Sequence, residues 1–380
     1  MHTLKSLRSV LLLIVLIGCG DRTDTQVVLE RVPHGGIQPQ ALVDDDTVHL
    51  VYYKGDPAAG DIFYVRRQTS SEEWSTPLRV NSEPGSAVAL GTVRGAHLAI
   101  GREGRVHVAW MGSQKAIPRG PDGATPMLYT RSDEMGVAFE PQRNVLTFAD
   151  GLDGGGSVAA DRSGTVYVAW HGRGDAEGEA GRRVWVARSD DDGATFERET
   201  PAFEEPTGAC GCCGMRAYAD RDGTLYLLYR AAEDGIHRGM QLLTVPPGEV
   251  KPRGARLDEW ELEACPMSTA SIRQSGERML GVWENDGQIY VARLDVPVNS
   301  EAVPGASGQR KHPVAVGNRR NETLVAWTEG MGWNKAGSLA WHLIDADGRP
   351  TDVTGIAPDV PVWSLPTAYA DAAGGFVILY

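Results

Sequence analysis

Residues 157–170 read SVAADRSGTVYVAW, a short apolar segment, a polar turn and a second apolar segment that ends in an aromatic residue. In segments of this kind apolar positions recur with a period of two, as expected of a half-buried strand. The turn between them, Asp161 to Gly164, has the D-x-x-G pattern that closes tight hairpins. The stretch therefore predicts a β-hairpin of two short strands.

The same phrase occurs six more times along the chain. The copies begin at Pro39 (PQALVDDDTVHLVYY), Ala96 (AHLAIGREGRVHVAW), Arg216 (RAYADRDGTLYLLYR), Thr269 (TASIRQSGERMLGVW), His312 (HPVAVGNRRNETLVAW) and Pro366 (PTAYADAAGGFVILY). After most hairpins a third strand follows, as at 61–66, 127–131, 183–188 and 288–293, and then a weaker fourth. Repeated four-stranded units predict the blades of a β-propeller.

A row of separate sandwich domains is the alternative architecture. No linker-like composition separates the repeats, and each repeat is too small to bury its own faces. The last hairpin, ending at Tyr380, has no third or fourth strand, whereas residues 25–32 (TQVVLERV) form a strand without a hairpin. We therefore expect one all-β domain over residues 27–380, a six- or seven-bladed propeller whose ring is closed by the N-terminal strand.

A turn motif in the third repeat carries a family resemblance. Residues 188–196, RSDDDGATF, resemble an Asp-box, the S-x-D-x-G-x-T-[WF] turn of sialidases and other BNR-repeat propellers, and degenerate copies occur at 132–139 and 70–74. The matching positions are Ser189, Asp191, Gly193, Thr195 and Phe196. The CGCC phrase at 210–213, RKHP at 310–313 and WTEG at 327–330 are similar to sialidase-like lipoproteins of environmental bacteria. The resemblance implies a sialidase-like propeller, usually of six blades, in which the Asp-box is structural.

The resemblance also implies where a catalytic site would lie. A sialidase holds the substrate carboxylate with three arginines, uses a tyrosine activated by a glutamate as nucleophile, and supplies an aspartate as acid–base. The R-I-P phrase of the first arginine corresponds here to residues 36–40, GIQPQ, where a glutamine cannot replace the arginine fork. Candidate substrate-binding residues at strand ends are Arg94, Arg216, Arg230, Arg310 and His312. Candidate catalytic residues are Asp56, Asp61, Tyr229 and Glu284, although charged side chains also commonly line a wet propeller mouth.

Four cysteines lie just before the inner strands of two consecutive repeats: Cys210, Cys212 and Cys213 in CGCC, and Cys265 in CPM. In an exported protein they favour disulfides, with a link between CGCC and Cys265. The alternative is a soft ion, Cu(I) or Zn, bound by thiolates near Met215, Met267, His171 or His312. A redox or free-thiol role is a third possibility. We expect no metal and no cofactor unless the second alternative holds.

The N-terminus is typical of an export signal. Residues 1–18 have a charged start and an apolar run at 10–17 that is too short to cross a bilayer. Leu16 to Cys19 (LIGC) resembles the lipobox of bacterial lipoproteins, which implies acylation of Cys19, followed by a polar tether over 19–26. An ordinary secretory signal is the alternative. We expect an exported protein anchored by a lipid to the bacterial cell envelope, in the outer membrane or the periplasm.

The charge balance bears on partners. The chain has 380 residues, with 37 basic and 50 acidic side chains and a net charge of −13. Nucleic-acid binding needs clustered Lys and Arg, so a nucleic-acid partner is not expected. Three function classes remain: a glycan-directed hydrolase with a modified sialidase site, a non-catalytic propeller that binds an acidic sugar or a protein, and a metal or redox protein centred on CGCC. We expect a glycan partner and a monomer.

Overall fold

The computed structural model describes residues 25–174, 176–249, 251–295 and 297–380. Within these ranges the strands form six sheets of four strands and one sheet of three. The first strands of successive sheets contact one another in a closed ring, because the seventh sheet also meets the first. The sheets are therefore the blades of a seven-bladed β-propeller, and the expected all-β fold is confirmed.

Blades 1 to 3 follow the chain in order. Blade 1 contains β2 (Ile37–Asp44), β3 (Thr47–Lys54), β4 (Asp61–Gln68) and β5 (Leu78–Arg79). Blade 2 contains β6 (His97–Ile100), β7 (Val106–Met111), β8 (Met127–Arg131) and β9 (Arg143–Asn144). Blade 3 contains β10 (Asp153–Ala160), β11 (Val166–Gly172), β12 (Arg183–Ser189) and β13 (Thr200–Pro201).

Blades 4 to 7 complete the ring. Blade 4 contains β14 (Arg216–Ala219), β15 (Leu225–Arg230), β16 (Met240–Val245) and β17 (Arg253–Arg256). Blade 5 contains β18 (Ser271–Ser275), β19 (Arg278–Asn285), β20 (Gln288–Arg293) and β21 (Ser300–Ala302). Blade 6 contains β22 (Arg310–Gly317), β23 (Thr323–Glu329), β24 (Gly337–Ile344) and β25 (Pro350–Val360). Blade 7 contains β26 (Thr367–Ala370), β27 (Phe376–Leu379) and β1 (Val27–Glu30).

Helical structure is confined to single turns. They are 3-10 turns at Pro33–Gly35, Arg102–Gly104 and Pro121–Gly123, and the four-residue helix α1 (Gly178–Gly181). None of the helices in the described part of the chain is long and apolar enough to span a membrane.

The N-terminal strand closes the ring, as the unpaired segment at 25–32 predicts. β1 pairs in parallel with β27, with Val27 opposite Phe376, so blade 7 has three strands rather than four. Just before β1, the Thr25 hydroxyl donates to the Glu322 carboxylate of blade 6 at 2.8 Å. The seam is thus held by a backbone ladder and by a side-chain contact to the neighbouring blade.

Aromatic side chains at the ends of second strands fill the space between blades. Trp110, Trp170 and Trp283 are fully buried, and Trp327 is almost fully buried. The Trp170 indole Nε1 donates to the carbonyl of Ala149 at 3.0 Å, so the buried polar atom is satisfied. These side chains make the inter-blade core on which the positions of the axial loops depend.

The ring has two distinct faces. We call the side that carries the hairpin turns the turn face, and the side that carries the loops leading into the first strands the mouth face. The RSDDDGATF segment lies on the turn face, where the Asp191 carboxylate accepts from the Thr195 N–H at 2.8 Å and from the Ser189 hydroxyl at 2.7 Å. Gly193 has φ +76°, and a Cβ there would overlap the Tyr129 hydroxyl of blade 2.

The turn after β12 also docks onto blade 2. Phe196 packs edge-on against Tyr129 with ring centroids 4.8 Å apart, and Asp192 pairs with Arg105 at 2.6 Å. One blade earlier, Phe139 packs edge-on against Tyr64 in the same way, at 5.5 Å. The two aromatic contacts are equivalent, which explains why the 132–139 and 188–196 segments share an aromatic last residue.

Candidate functional site at the propeller mouth

Five charged side chains form a continuous network on the mouth face. Arg94 pairs with Asp153 at 2.8 Å, and Arg182 bridges Asp153 and Glu179 at 3.7 Å to each. Glu179 in turn pairs with Arg238 at 2.9 Å. Three guanidinium groups therefore share two carboxylates, which leaves a local excess of positive charge on a chain whose net charge is −13.

An exposed tryptophan stands at one end of this network. Trp333, in the loop after β23, is 49% exposed, and the Arg94 guanidinium lies 5.8 Å from its ring centroid. Its carbonyl accepts from the Trp363 indole at 2.6 Å. Gly91 lies so close that a Cβ there would press on the Trp333 ring, and its φ of +83° also favours glycine. The loop of blade 6 thus meets the loop before blade 2 across the propeller axis.

Two buried arginines lie deeper on the axis. Arg216 and Arg273 are 4% and 7% exposed, and both line a cavity of about 130 Å³ toward the turn face and one of about 30 Å³ beneath the mouth. Arg273 donates to the Ala41 carbonyl at 2.6 Å, whereas the Arg216 guanidinium makes no hydrogen bond or ion pair with the described residues. Burial lowers the pKa of both groups, that of Arg273 to about 10, and the charge of Arg273 lowers the pKa of Arg216 further.

Two of the candidate catalytic residues, Tyr229 and Glu284, have separate partners. The Tyr229 hydroxyl is 2.8 Å from the Thr207 hydroxyl, and burial raises the pKa of Tyr229 to about 12. Glu284 pairs with Arg230 at 3.3 Å and accepts from the Gly287 N–H at 2.8 Å. Burial raises the pKa of Glu284, and Arg230 only partly offsets it. Among the described residues, the Tyr229 and Glu284 side chains therefore bond to different partners and not to each other.

The two candidate acids lie close together in blade 1: Asp56 is in the loop after β3, and Asp61 is the first residue of β4. The Asp61 carboxylate accepts from the Asn81 amide at 2.7 Å and from the Gly85 N–H at 2.8 Å. The Asp56 carboxylate accepts from the Ala58 N–H at 3.0 Å. These contacts are those of carboxylates that stabilise loops, and the acid–base role stays a prediction.

The candidate arginines do not converge on one point. Arg94 is paired with Asp153, Arg230 with Glu284, and Arg310 with Glu329 at 3.4 Å. Arg216 alone among the four has its guanidinium unpaired within the described residues. His312 is buried beside the mouth, and its Nδ1 lacks a hydrogen-bond partner. Their assignment to substrate binding stays a prediction.

The cysteines of CGCC gather at the edge of the same network. The Cys210 sulfur lies 3.3 Å from that of Cys212 and 3.4 Å from that of Cys213, and all three sulfurs lie within 4.8 Å of one another. Cys212 also lies within 4.8 Å of the exposed Cys265 sulfur and a Glu179 oxygen. All four side chains are thiols in the structure. The disulfide between CGCC and Cys265 stays a prediction.

The thiols interact strongly with one another. Burial alone would raise the pKa of Cys213, but hydrogen bonds from the Cys210 and Cys212 thiols and the charge of Arg230 hold that pKa well below its usual value. The pKa of Cys212 is raised, first because of its hydrogen bonds to the other two sulfurs and then because of burial. One thiolate is therefore favoured in this group, and further deprotonation without a bound cation is not.

Several mouth residues were not singled out by sequence reasoning: Trp333, Asp153, Glu179, Arg182, Arg238 and Arg273. They sit in loops or inside strands that look ordinary one at a time, and only the ring brings them together. A detectable signal is Trp333 itself, an aromatic residue between glycine and asparagine in a loop (GMGWN) rather than at a strand end.

No protein-family model matches this sequence, and no curated protein matches it. Similarity is found with solved structures. A protein of unknown function from Dyadobacter fermentans aligns with a TM-score of 0.54 at 14% identity, over 85% of this chain and 98% of that chain. A fungal alcohol oxidase of the AA5 family, solved with copper, aligns with a TM-score of 0.50 at 13% identity, over 90% and 69%.

The sialidase of Trypanosoma rangeli, solved with the inhibitor DANA, aligns with a TM-score of 0.50 at 10% identity. The alignment covers 80% of this chain and 54% of the sialidase, so about half of that protein has a counterpart here. At such identities the similarity concerns the fold alone. The chain has the fold of a sialidase-like β-propeller, with seven blades.

Proposed function

We propose that the chain is an exported, lipid-anchored propeller that binds an acidic saccharide at its mouth without hydrolysing it. The observation that carries this proposal is Trp333, a half-exposed indole at the axis beside Arg94. A large exposed aromatic side chain in a concave, loop-lined surface is typical of a binding site.

The chemistry of the mouth suits a sugar with a carboxylate. The apolar face of a pyranose ring packs against an indole, while guanidinium groups bind carboxylates through two parallel hydrogen bonds. The network supplies guanidiniums in excess of carboxylates, and Arg216 and Arg273 add positive potential from below. A local field of this kind attracts an anion even to a chain of negative net charge.

Hydrolysis by the sialidase mechanism is not supported by the same geometry. A retaining glycosidase needs its nucleophile and its acid on opposite sides of the anomeric carbon. Tyr229 is buried, with a pKa of about 12, and its polar contact is Thr207 rather than a carboxylate. A nucleophile is activated by a bonded base or a lowered pKa, whereas the pKa of Tyr229 is raised and its hydroxyl bonds to that of Thr207. We therefore propose binding, and not hydrolysis, as the function of the mouth.

The binding proposal is tested by calorimetry on the purified chain with sialyl and uronic-acid oligosaccharides and their neutral counterparts. We expect the acidic sugars to bind and Trp333→Ala to abolish binding. The matched control is Ile356→Ala, which removes an exposed apolar side chain from the outer strand β25. Equal binding of neutral sugars, or unchanged binding by Trp333→Ala, would contradict the proposal. Release of free sialic acid from a sialoside would show that the protein hydrolyses its ligand, and the proposal of binding without hydrolysis would be wrong.

The anchor is tested separately, because residues 1–24 lie outside the described residues. We expect Cys19→Ser to move the protein from the membrane fraction to the soluble fraction, since the acylated sulfur is lost. Cys265→Ser is the control, because it removes an exposed cysteine far along the chain and should leave the protein in the membrane fraction. A Cys19→Ser protein that stays in the membrane fraction would exclude lipid anchoring at this residue.

A further inference from the structure

The CGCC loop is shaped before any ligand binds. The Cys210 N–H donates to the Arg230 carbonyl at 3.0 Å, and the Cys213 N–H donates to the Cys210 carbonyl at 3.2 Å. The Gly211 N–H donates to the Glu179 carboxylate at 2.9 Å. Because the backbone is fixed on three sides, the three sulfurs are held together by the fold rather than by their own contacts.

We propose that Cys210, Cys212 and Cys213 bind one Cu(I) ion through their three sulfur atoms. This inference is independent of saccharide binding. Thiolates are soft ligands that select ions such as Cu(I) and Zn(II). A structural zinc site almost always has four ligands, whereas the sulfurs that lie within 4.8 Å of one another here are three. Cys265 belongs to a second group, with Cys212 and Glu179, and not to this one. The three-sulfur set therefore favours copper.

The surroundings of the sulfur group include two histidines. His171 and His312 are buried, and Cys213 acts electrostatically on both imidazoles. Within the described residues, neither His171 ring nitrogen nor the His312 Nδ1 has a hydrogen-bond partner. Neither imidazole joins the three sulfurs in a group within 4.8 Å, so both lie outside the ligand set.

The charges balance without any electron transfer. Binding forms three Cu–S bonds and releases to solvent the protons that the three sulfurs still carry, which leaves two net negative charges on the site. Arg230 and Arg238 both act electrostatically on these sulfurs. The Arg230 Nε and the Arg238 Nη1 are buried without hydrogen-bond partners, so each guanidinium keeps a donor for the loaded site. Both guanidiniums also pair with carboxylates, Arg230 with Glu284 and Arg238 with Glu179, so their charges offset those of the loaded site in part.

A disulfide accounts for fewer of the three clustered sulfurs than a bound ion does. It would join two of the three sulfurs and leave an unpaired thiol in a buried site. Cys212 and Cys213 are adjacent, and a bridge between them closes almost no loop and gains little from chain entropy. A bridge from Cys212 to Cys265 remains the competing arrangement, and the experiment separates the two.

The test uses the full chain, reduced under anaerobic conditions and titrated with Cu(I) against a chromogenic Cu(I) chelator. We expect one equivalent of copper per chain, with ultraviolet thiolate-to-copper absorption and three sulfur neighbours by X-ray absorption. Cys213→Ser and Cys210→Ser should each lose this equivalent, whereas Cys265→Ser should retain it. Circular dichroism melting curves show that each variant is folded, and a variant that does not fold is replaced by Cys212→Ser, whose side chain is less buried.

Four outcomes would overturn the inference. Two concern the ion and its ligands: the chain retains Zn(II) but not Cu(I), or Cys265→Ser loses copper binding. The third is copper binding that persists in the folded Cys210→Ser and Cys213→Ser variants. The fourth is a disulfide at Cys210, Cys212 or Cys213 in non-reduced peptides of the exported protein.

Discussion

The two faces of the ring differ in how their polar side chains are hydrogen-bonded. On the turn face, aspartates accept from N–H groups two to four residues ahead, as Asp220 does from Thr224 at 2.8 Å and Asp345 from Arg349 at 2.8 Å. On the mouth face, His171 and His312 have unpartnered ring nitrogens, and Arg216 is unpaired within the described residues. The turn face is thus held by local hydrogen bonds of its own carboxylates, although buried unpartnered atoms, such as the Arg278 Nε and the Asp192 Oδ1, occur there as well. Substitutions on the two faces should separate stability from binding.

The largest loss of stability is expected for Asp192→Ala on the turn face. Asp192 is buried and pairs with Arg105 at 2.6 Å, which links the turn of blade 3 to blade 2. Removing one partner of a buried pair leaves the other charge uncompensated and costs about 3 kcal/mol. We expect a lower melting temperature by several degrees and unchanged saccharide binding.

Two variants control this result. Asp192→Asn keeps a residue that tolerates the positive φ of position 192, which isolates the loss of charge from backbone strain. Asp190→Ala removes an exposed carboxylate two positions before Asp192 and should change stability by less than about 0.5 kcal/mol. Equal melting temperatures for Asp192→Ala and Asp190→Ala would show that the pair does not hold the blades together.

A smaller loss is expected for Asp191→Ala. The Asp191 carboxylate is exposed, but it accepts from Thr195 and Ser189. Losing these partners should cost about 1 kcal/mol. Measured by thermal unfolding, the variant should melt slightly lower than the parent, and an unchanged melting temperature would count against the Asp-box assignment.

The same residue gives a pH dependence with a defined sign. Burial by itself would raise the pKa of Asp191, but the hydrogen bonds from Thr195 and Ser189 together outweigh it and lower the pKa from 3.8 to about 2. A lowered native pKa stabilises the fold above 3.8, and this contribution is lost as the pH falls through 2. The stability difference between parent and Asp191→Ala should therefore shrink between pH 4 and pH 2. A constant difference would mean that the carboxylate charge is not involved.

The smallest effect on stability is expected on the mouth face. Trp333→Ala truncates a half-exposed side chain and should alter the free energy of unfolding by about 0.5 kcal/mol or less, while abolishing saccharide binding. Thermal unfolding and calorimetry on one preparation measure both quantities. A large fall in melting temperature would show that Trp333 is a structural lid of the mouth and would erase the contrast between the faces.

The turn face could be read from the sequence because its contacts are local. The third strands predicted at 61–66, 127–131, 183–188 and 288–293 all occur, β4 and β12 being slightly longer, since period-two patterns and D-x-x-G turns act within a few residues. The closing strand was also predictable, because an unpaired strand and an incomplete hairpin need each other. The structure shortens it from 25–32 to Val27–Glu30.

The mouth could be predicted only in part. CGCC is a visible cluster, but Glu179 reaches it from another blade, and Arg94 and Trp333 meet from blades 2 and 6. The candidates Tyr229 and Glu284 lie near strand ends, as expected, yet side-chain packing gives them different partners. Such pairings depend on how each blade is oriented about the axis, and a local sequence pattern does not predict this orientation.

The parallel pairing of β1 with β27 has a consequence for the timing of folding. The backbone groups of residues 27–30 pair with those of residues 376–379, which are nearly the whole sequence away. They therefore stay unpaired until that last segment is present. Contacts of such long separation form slowly, because the entropy of closing the loop is lost before any contact energy is gained. During synthesis the first strand therefore stays available as an open strand edge until the last hairpin emerges.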